Sequence, residues 1–378
     1  MSSLNNPLRQ LENFGQSIWL DYIRRQLLFS PEFRRLIDED GLKGMTSNPT
    51  IFDKAIADSS DYDDQLAELV RAQKSIDEIY EALTTDDIKR AADALRPLYD
   101  ATDGRNGFVS YEVSPRLAND TGGTIDAAHR YFELIGRPNL MVKVPATPAG
   151  LPAIEQLISE GRNINITLMF SVKHYEAVAE AYLRGLEKRA QAGLPLARVA
   201  SVASVFVSRV ETLTDKRLEE KLKGRPDEAV AALRGTAAVA NAKLIYQRFR
   251  EIFGSDRFKQ LQAKGARVQR PLWASTGTKD PAYSDIKYVQ ELIGPDTVNT
   301  MPPATMDAFR DHGVPRATLE QGLTEAAEAV RRLNEAGIDL IEIGEELQRE
   351  GVELFAKSFA DLLATIESRR IAPRAAAS

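Results

Sequence analysis

LMVKVPA, residues 140–146, places a lysine between two valines in a run too apolar to lie in an exposed loop. Lysine strongly prefers water, and a buried ammonium is costly unless something uses it. Side chains alternate faces along a strand. If Leu140, Val142 and Val144 pack one way, Lys143 points the other. The fold follows from what lies on each side.

Short runs rich in β-branched residues recur outward from this one. They are SIWLD (17–21), LKGMTSN (42–48), GFVSYEV (107–113), INITLMF (164–170), VASVFVS (202–208), RPLWAST (270–276) and TVNTM (297–301). Charged helical patterns separate them, such as SVKHYEAVAEAYLRGLEKRAQAG (171–193). Strands separated by helices imply a parallel sheet with right-handed crossovers. Eight such strands imply an α/β fold of the closed (β/α)8 TIM-barrel type. Extra helices are expected in two places. The stretch 53–102 is long for one crossover and reads as three helices. Residues 317–369 read as two or three amphipathic helices packed on the barrel, with no further strand. The tail RRIAPRAAAS reads as frayed. No linker, repeat or low-complexity block divides the chain, so residues 1–378 read as one barrel domain.

The alternation sends polar groups inward on five strands. Ile18 and Leu20 face the helices, which turns Asp21 in. Val109, Tyr111 and Val113 leave Ser110 and Glu112 inside. Ile164, Ile166 and Leu168 leave Asn165 and Thr167 inside, and Thr46 and Asn48 share a face. Most lie towards the C-terminal ends of their strands, where barrel enzymes keep their active sites. One such residue is easily structural, for instance in an internal Glu112–Lys143 ion pair. Five on neighbouring strands point to an active site.

Composition excludes several alternatives. Net charge is −6, with no basic footprint for nucleic acid. The chain has no cysteine, hence no disulfide framework or thiolate metal site. The three histidines, His129, His174 and His312, are scattered without ligand spacing, which argues against a bound zinc or a Ser-His-Asp triad. No stretch approaches the roughly 20 apolar residues of a membrane helix. The opening MSSLNNPLRQLENFG lacks a signal-peptide core. A soluble cytoplasmic protein is expected.

The segments WLDY (19–22), GMTSNPTIF (44–52), VSYEVSPRLAND (109–120), MVKVPAT (141–147), NINITLMFS (163–171), VASVFVSRVET (202–212) and LWASTGTKDP (272–281) together resemble the transaldolases. These are Schiff-base-forming members of the class I aldolase barrels. TSNPTIFDKAI and LWASTGTKD are similar to the longer bacterial form. The resemblance implies transfer of a dihydroxyacetone unit from sedoheptulose 7-phosphate or fructose 6-phosphate to glyceraldehyde 3-phosphate or erythrose 4-phosphate, within the pentose phosphate pathway. It implies no cofactor and no metal. The implied partners are sugar phosphates, with a monomer or a homodimer left open.

The resemblance makes Lys143 the nucleophile. Only about one free lysine in a thousand is neutral at pH 7. Desolvation disfavours an ammonium and releases the amine. Glu112 takes the role of general acid/base acting through a water that Thr167 helps to hold, with simple ion pairing to Lys143 as its bland alternative. Asp21 becomes the base for the C4 hydroxyl, against a helix N-cap. Asn48 and Asn165 hold the hydroxyls of the three-carbon unit; a turn role is Asn48's rival. Arg209, just past strand six, anchors phosphate, helped by Ser204 and Ser275. Shorter transaldolases carry an arginine shortly after the position of Ser275. Here the chain reads Gly277, Thr278, Lys279, and Lys279 is expected to supply that charge. Two rival functions stand beside this one: an aldolase releasing free dihydroxyacetone, and a non-catalytic sugar-phosphate-binding barrel.

Overall fold

The computed structural model describes residues 6–224 and 226–371. All eight expected strands are present: β1 (Gln16–Asp21), β2 (Gly44–Thr46), β3 (Phe108–Glu112), β4 (Leu140–Pro145), β5 (Ile164–Met169), β6 (Ser201–Phe206), β7 (Arg270–Ala274) and β8 (Thr297–Met301). They close in sequence order into one barrel, and every neighbouring pair is parallel. Leu140, Val142 and Val144 are fully buried against the helix layer. Tyr111 faces the same layer, its hydroxyl 2.8 Å from Thr84 Oγ1 and its ring 4.7 Å from that of Tyr131.

Three helices occupy the long crossover after β2: Pro49–Ala57, Asp63–Arg71 and Ile76–Ala101. The first starts where Asn48 caps it and Pro49 enters its first turn, a favoured combination because proline lacks the N–H that would go unsatisfied there. The third begins with a complete capping box, Ser75 and Glu78 each satisfying the other's backbone N–H. Two helices follow the barrel, Leu323–Glu335 and Leu340–Ile371. The first three residues of the expected frayed tail, 369–371, instead continue the last helix, with Arg369 buried; residues 372–378 lie outside the described residues. No helix among the described residues is long and apolar enough to cross a membrane.

Two strands depart from the expected pattern. β2 is only three residues long, so Asn48 lies beyond it rather than on it. β5 carries a register shift between Ile166 and Met169, with Leu168 at φ 60°. A bulky residue in that left-handed region is strained. The side chain packs against Gly351 of the last helix, where a Cβ would meet Leu168 Cδ2 at 2.8 Å.

The last helix lies across the C-terminal mouth. Gly344 packs on Ser171, just after β5. Gln348 donates 3.0 Å hydrogen bonds to the Ala146 and Leu168 carbonyls, at the ends of β4 and β5. Further along, Ser358 accepts from Thr50, and the Arg369 guanidinium reaches the Ile56 carbonyl and Asp63. These contacts carry the helix from strand five to the crossover after strand two.

Trp19 fills the middle of the barrel. It is fully buried, shares the inward face with Ser17 and Asp21, and lies beside the Phe108 ring. Gly44 makes room for it: a Cβ there would sit 2.5 Å from Trp19 Cε2 and 2.8 Å from the Phe108 carbonyl. Gly44→Ala is therefore expected to cost about 1–3 kcal/mol or more through overpacking. A urea titration should show the lowered midpoint. An unchanged midpoint would mean that Trp19 can move aside freely.

Candidate active site

Strand order and alternation bring Glu112, Lys143 and Asn165 to one level of the barrel interior. Glu112 is in register with Lys143, and Lys143 with Asn165. Lys143 is only 5% exposed. Its Nζ stands 3.0 Å from Glu112 Oε2 as an ion pair and donates to the Ser47 carbonyl at 3.0 Å. Burial raises the Glu112 carboxyl pKa above the ordinary range; Lys143 opposes that, and Asp21 adds to it.

Asp21 ends β1 on the same mouth. Thr46 Oγ1 donates to its Oδ1 at 2.7 Å, and Thr300 Oγ1 lies 2.8 Å from Thr46 Oγ1. Thr46 has one hydrogen and gives it to Asp21, so Thr300 donates to Thr46. This relay fixes the carboxylate and leaves its second oxygen to the cavity. Burial raises the Asp21 pKa as well; Lys143, the Thr46 hydrogen bond and Lys279 pull it down. The exposed Lys279, on the loop after β7, thus acts electrostatically on the same mouth.

Asn165 is fully buried and clamped. Its Nδ2 donates to Ser110 Oγ at 3.0 Å, and its Oδ1 accepts from Ser204 Oγ at 2.7 Å. One N–H remains for a ligand. Ser204, expected among phosphate-binding groups, thus has its hydroxyl turned to Asn165 inside the barrel and is 2% exposed. Thr167 Oγ1 is buried with no partner among the described residues. Asn48 caps the helix Pro49–Ala57, its Oδ1 accepting from Ile51 N at 3.0 Å. The turn role and a ligand role are compatible, because the cap leaves both Nδ2 hydrogens free.

Arg209 sits in the first turn of the helix Ser208–Gly224, after β6. Its guanidinium lies 5.3 Å from the Phe206 ring centroid and 5.8 Å from that of Phe355, on the mouth-crossing helix. It forms no ion pair among the described residues. Burial lowers its pKa, and only the more distant Glu350 opposes that. A cation at a helix N-terminus also meets the positive end of the dipole. All three conditions favour an anion beside it. Ser275 closes the group, its Oγ 2.9 Å from that of Ser208 and its backbone at φ 56°.

Several contributing groups escaped sequence reasoning. The Ser47 contact uses a backbone carbonyl, which carries no side-chain signal. Ser110 and Thr46 were visible as inward residues, but not their partners. Gln348 acts from 202 positions beyond Ala146, and no local pattern reports such a contact.

An ion-paired lysine at the C-terminal mouth, flanked by two carboxylates and a clamped amide, defines a (β/α)8 barrel equipped for amine and proton-transfer chemistry. The model of the Transaldolase/Fructose-6-phosphate aldolase family matches residues 18–366. A transaldolase from Trichodesmium erythraeum is 46% identical over 97% of this chain and 98% of its own length. One from Saccharopolyspora erythraea is 49% identical over 97% and 98%. One from Mycobacterium leprae is 47% identical over 96% of each. The chain belongs to the transaldolase/fructose-6-phosphate aldolase family.

Proposed function

We propose that this protein is a transaldolase that moves a dihydroxyacetone unit between sugar phosphates through a Schiff base on Lys143. The observation that carries the reading is the buried Lys143–Glu112 pair at 3.0 Å, level with Asn165 at the barrel mouth. In the resting enzyme Lys143 is paired with Glu112. Glu112, whose raised pKa suits it to accept, takes a proton from Nζ. The neutral amine attacks C2 of the ketose. Glu112 returns the proton to the departing hydroxyl, giving water and the iminium. Asp21 then removes the C4 hydroxyl proton. The C3–C4 bond breaks, its electron pair moves into the iminium, and an aldose phosphate leaves. The enamine attacks the aldehyde carbon of the acceptor, and the steps reverse.

The remaining side chains orient these steps. The unpartnered Thr167 Oγ1 suits a water that relays the proton between Glu112 and the reacting centre. Asn165 and Asn48 present amide N–H groups to the three-carbon unit. Ser204 serves by fixing Asn165. Arg209 receives the phosphate, with Ser275 beside it and Lys279 adding charge from its loop. On this reading the enzyme serves the pentose phosphate pathway in the cytoplasm, as a monomer or homodimer.

Acceptor dependence tests the reading. Fructose 6-phosphate with erythrose 4-phosphate should give sedoheptulose 7-phosphate and glyceraldehyde 3-phosphate. Donor alone should give negligible turnover. Steady release of free dihydroxyacetone would instead mark an aldolase, and no reaction with either mixture would leave a binding barrel.

Arg209→Ala is expected to lower kcat/KM for fructose 6-phosphate roughly ten- to a hundredfold, since a charged hydrogen bond is worth about 1.5–3 kcal/mol. Its preference for phosphorylated over unphosphorylated donor should shrink equally. Lys279→Ala should cost less, because an exposed ammonium is well hydrated and binds one oxygen at a time. Kinetics with both donors checks the order. A larger loss for Lys279→Ala would make the loop lysine the principal anchor.

A further inference from the structure

The end of the barrel opposite Lys143 holds a cavity of about 630 Å³. Its inner wall is the lowest inward layer of the barrel, including Ser17, Phe108, Met141 and Arg270. Trp19 lies in the next layer, between this cavity and the mouth.

Charge is the unusual feature. Lys43, Arg105, Arg267 and Arg270 line the cavity, against Glu12 and Asp296. Four cations face two carboxylates in the lining, with a third carboxylate, Asp103, beside Arg267, in a chain whose net charge is −6. Two of the cations are matched: Lys43 pairs with Glu12 at 3.1 Å, and Arg267 with Asp103 at 3.0 Å. Arg105 and Arg270 form no ion pair among the described residues. The Arg105 side chain is exposed and makes no hydrogen bond there either.

Arg270 is held but not neutralised. It donates to Ser17 Oγ at 3.0 Å and to the Arg105 carbonyl at 2.8 Å. A guanidinium has five N–H donors, so three remain. Burial pushes its pKa down to about 10; Asp296 opposes, and Arg267 and Arg105 reinforce. A strut joining β1 to the 103–107 loop needs only the two bonds it makes. It does not account for a second unpaired arginine beside it.

We propose that this cavity binds a small phosphate-bearing molecule, its phosphate clamped by Arg105 and Arg270. A phosphate monoester carries about −1.5 to −2 charges at pH 7, which the two unpaired guanidiniums can balance. Two guanidinium forks offer more donors than the two oxygens of a carboxylate accept, and the three terminal oxygens of a phosphate suit them better. The volume falls within the range of about 300–1,000 Å³ usual for small-molecule sites. Trp19 separates this site from the mouth, so it is distinct from the Arg209 anchor.

Calorimetric titration with inorganic phosphate at low ionic strength tests the proposal on four proteins: wild type, Arg209→Ala, Arg105→Ala and the double variant. Two sites are expected in the wild type, one in Arg209→Ala and none in the double variant. Arg105→Ala should weaken the second site at least tenfold and leave kcat with fructose 6-phosphate unchanged. Its side chain is exposed and makes no hydrogen bond or ion pair among the described residues, so the fold does not depend on such a bond. Arg270→Lys, which keeps a charge, should weaken the same site. Loss of all binding in Arg209→Ala would overturn the proposal and leave the mouth as the sole site. Unchanged affinity at the second site in Arg105→Ala, or no phosphate binding by the wild type, would also overturn it.

Discussion

Lys143→Ala is expected to abolish turnover and covalent trapping while the barrel stays folded. Removing a covalent nucleophile costs on the order of 10⁵-fold or more in kcat. The fold is at risk because breaking a buried pair leaves a lone charge, typically at about 3–5 kcal/mol. Here the partner can escape that cost. Glu112 already has a raised pKa, and losing the Lys143 ammonium removes the main influence holding it down. It can take up a proton and remain neutral. Circular dichroism should therefore match the wild type while activity falls to background. Residual turnover near one per cent would mean that another amine forms the intermediate.

Glu112→Gln is expected to slow the reaction by about 100- to 10,000-fold, the range for a general acid–base group. The substitution keeps shape and removes only the titrating function. In the wild type, kcat/KM should rise as Glu112 loses its proton, at a pH above the usual carboxylate range because burial raises its pKa. The Gln variant should lack that limb. A variant with near-normal rate and an unchanged profile would leave Glu112 as a mere partner in the ion pair.

The barrel was legible because alternation and spacing are local. Lys143 stood out between Val142 and Val144 for the same reason, and strand order alone made Glu112 its neighbour. Contacts made across the chain were not legible. Nothing in INITLMF announces that Leu168 adopts φ 60° to meet Gly351. Ser204 reads as a strand-end hydroxyl, and only the closed barrel shows that Asn165 accepts its hydrogen. The helix Leu340–Ile371 reads as amphipathic, but its course over the mouth depends on Gln348 reaching two strand-end carbonyls. The Lys143–Glu112 contact was foreseen as the bland alternative to catalysis. On the proposed mechanism the two are successive states of one pair, the ion pair being where the proton transfer starts.

Borohydride reduction in the presence of fructose 6-phosphate, followed by peptide mapping, tests the central claim most directly. The account predicts one reduced three-carbon adduct per chain, on the peptide containing Lys143, and none in Lys143→Ala. An adduct on any other lysine, or no adduct from an enzyme that still turns over, would contradict it.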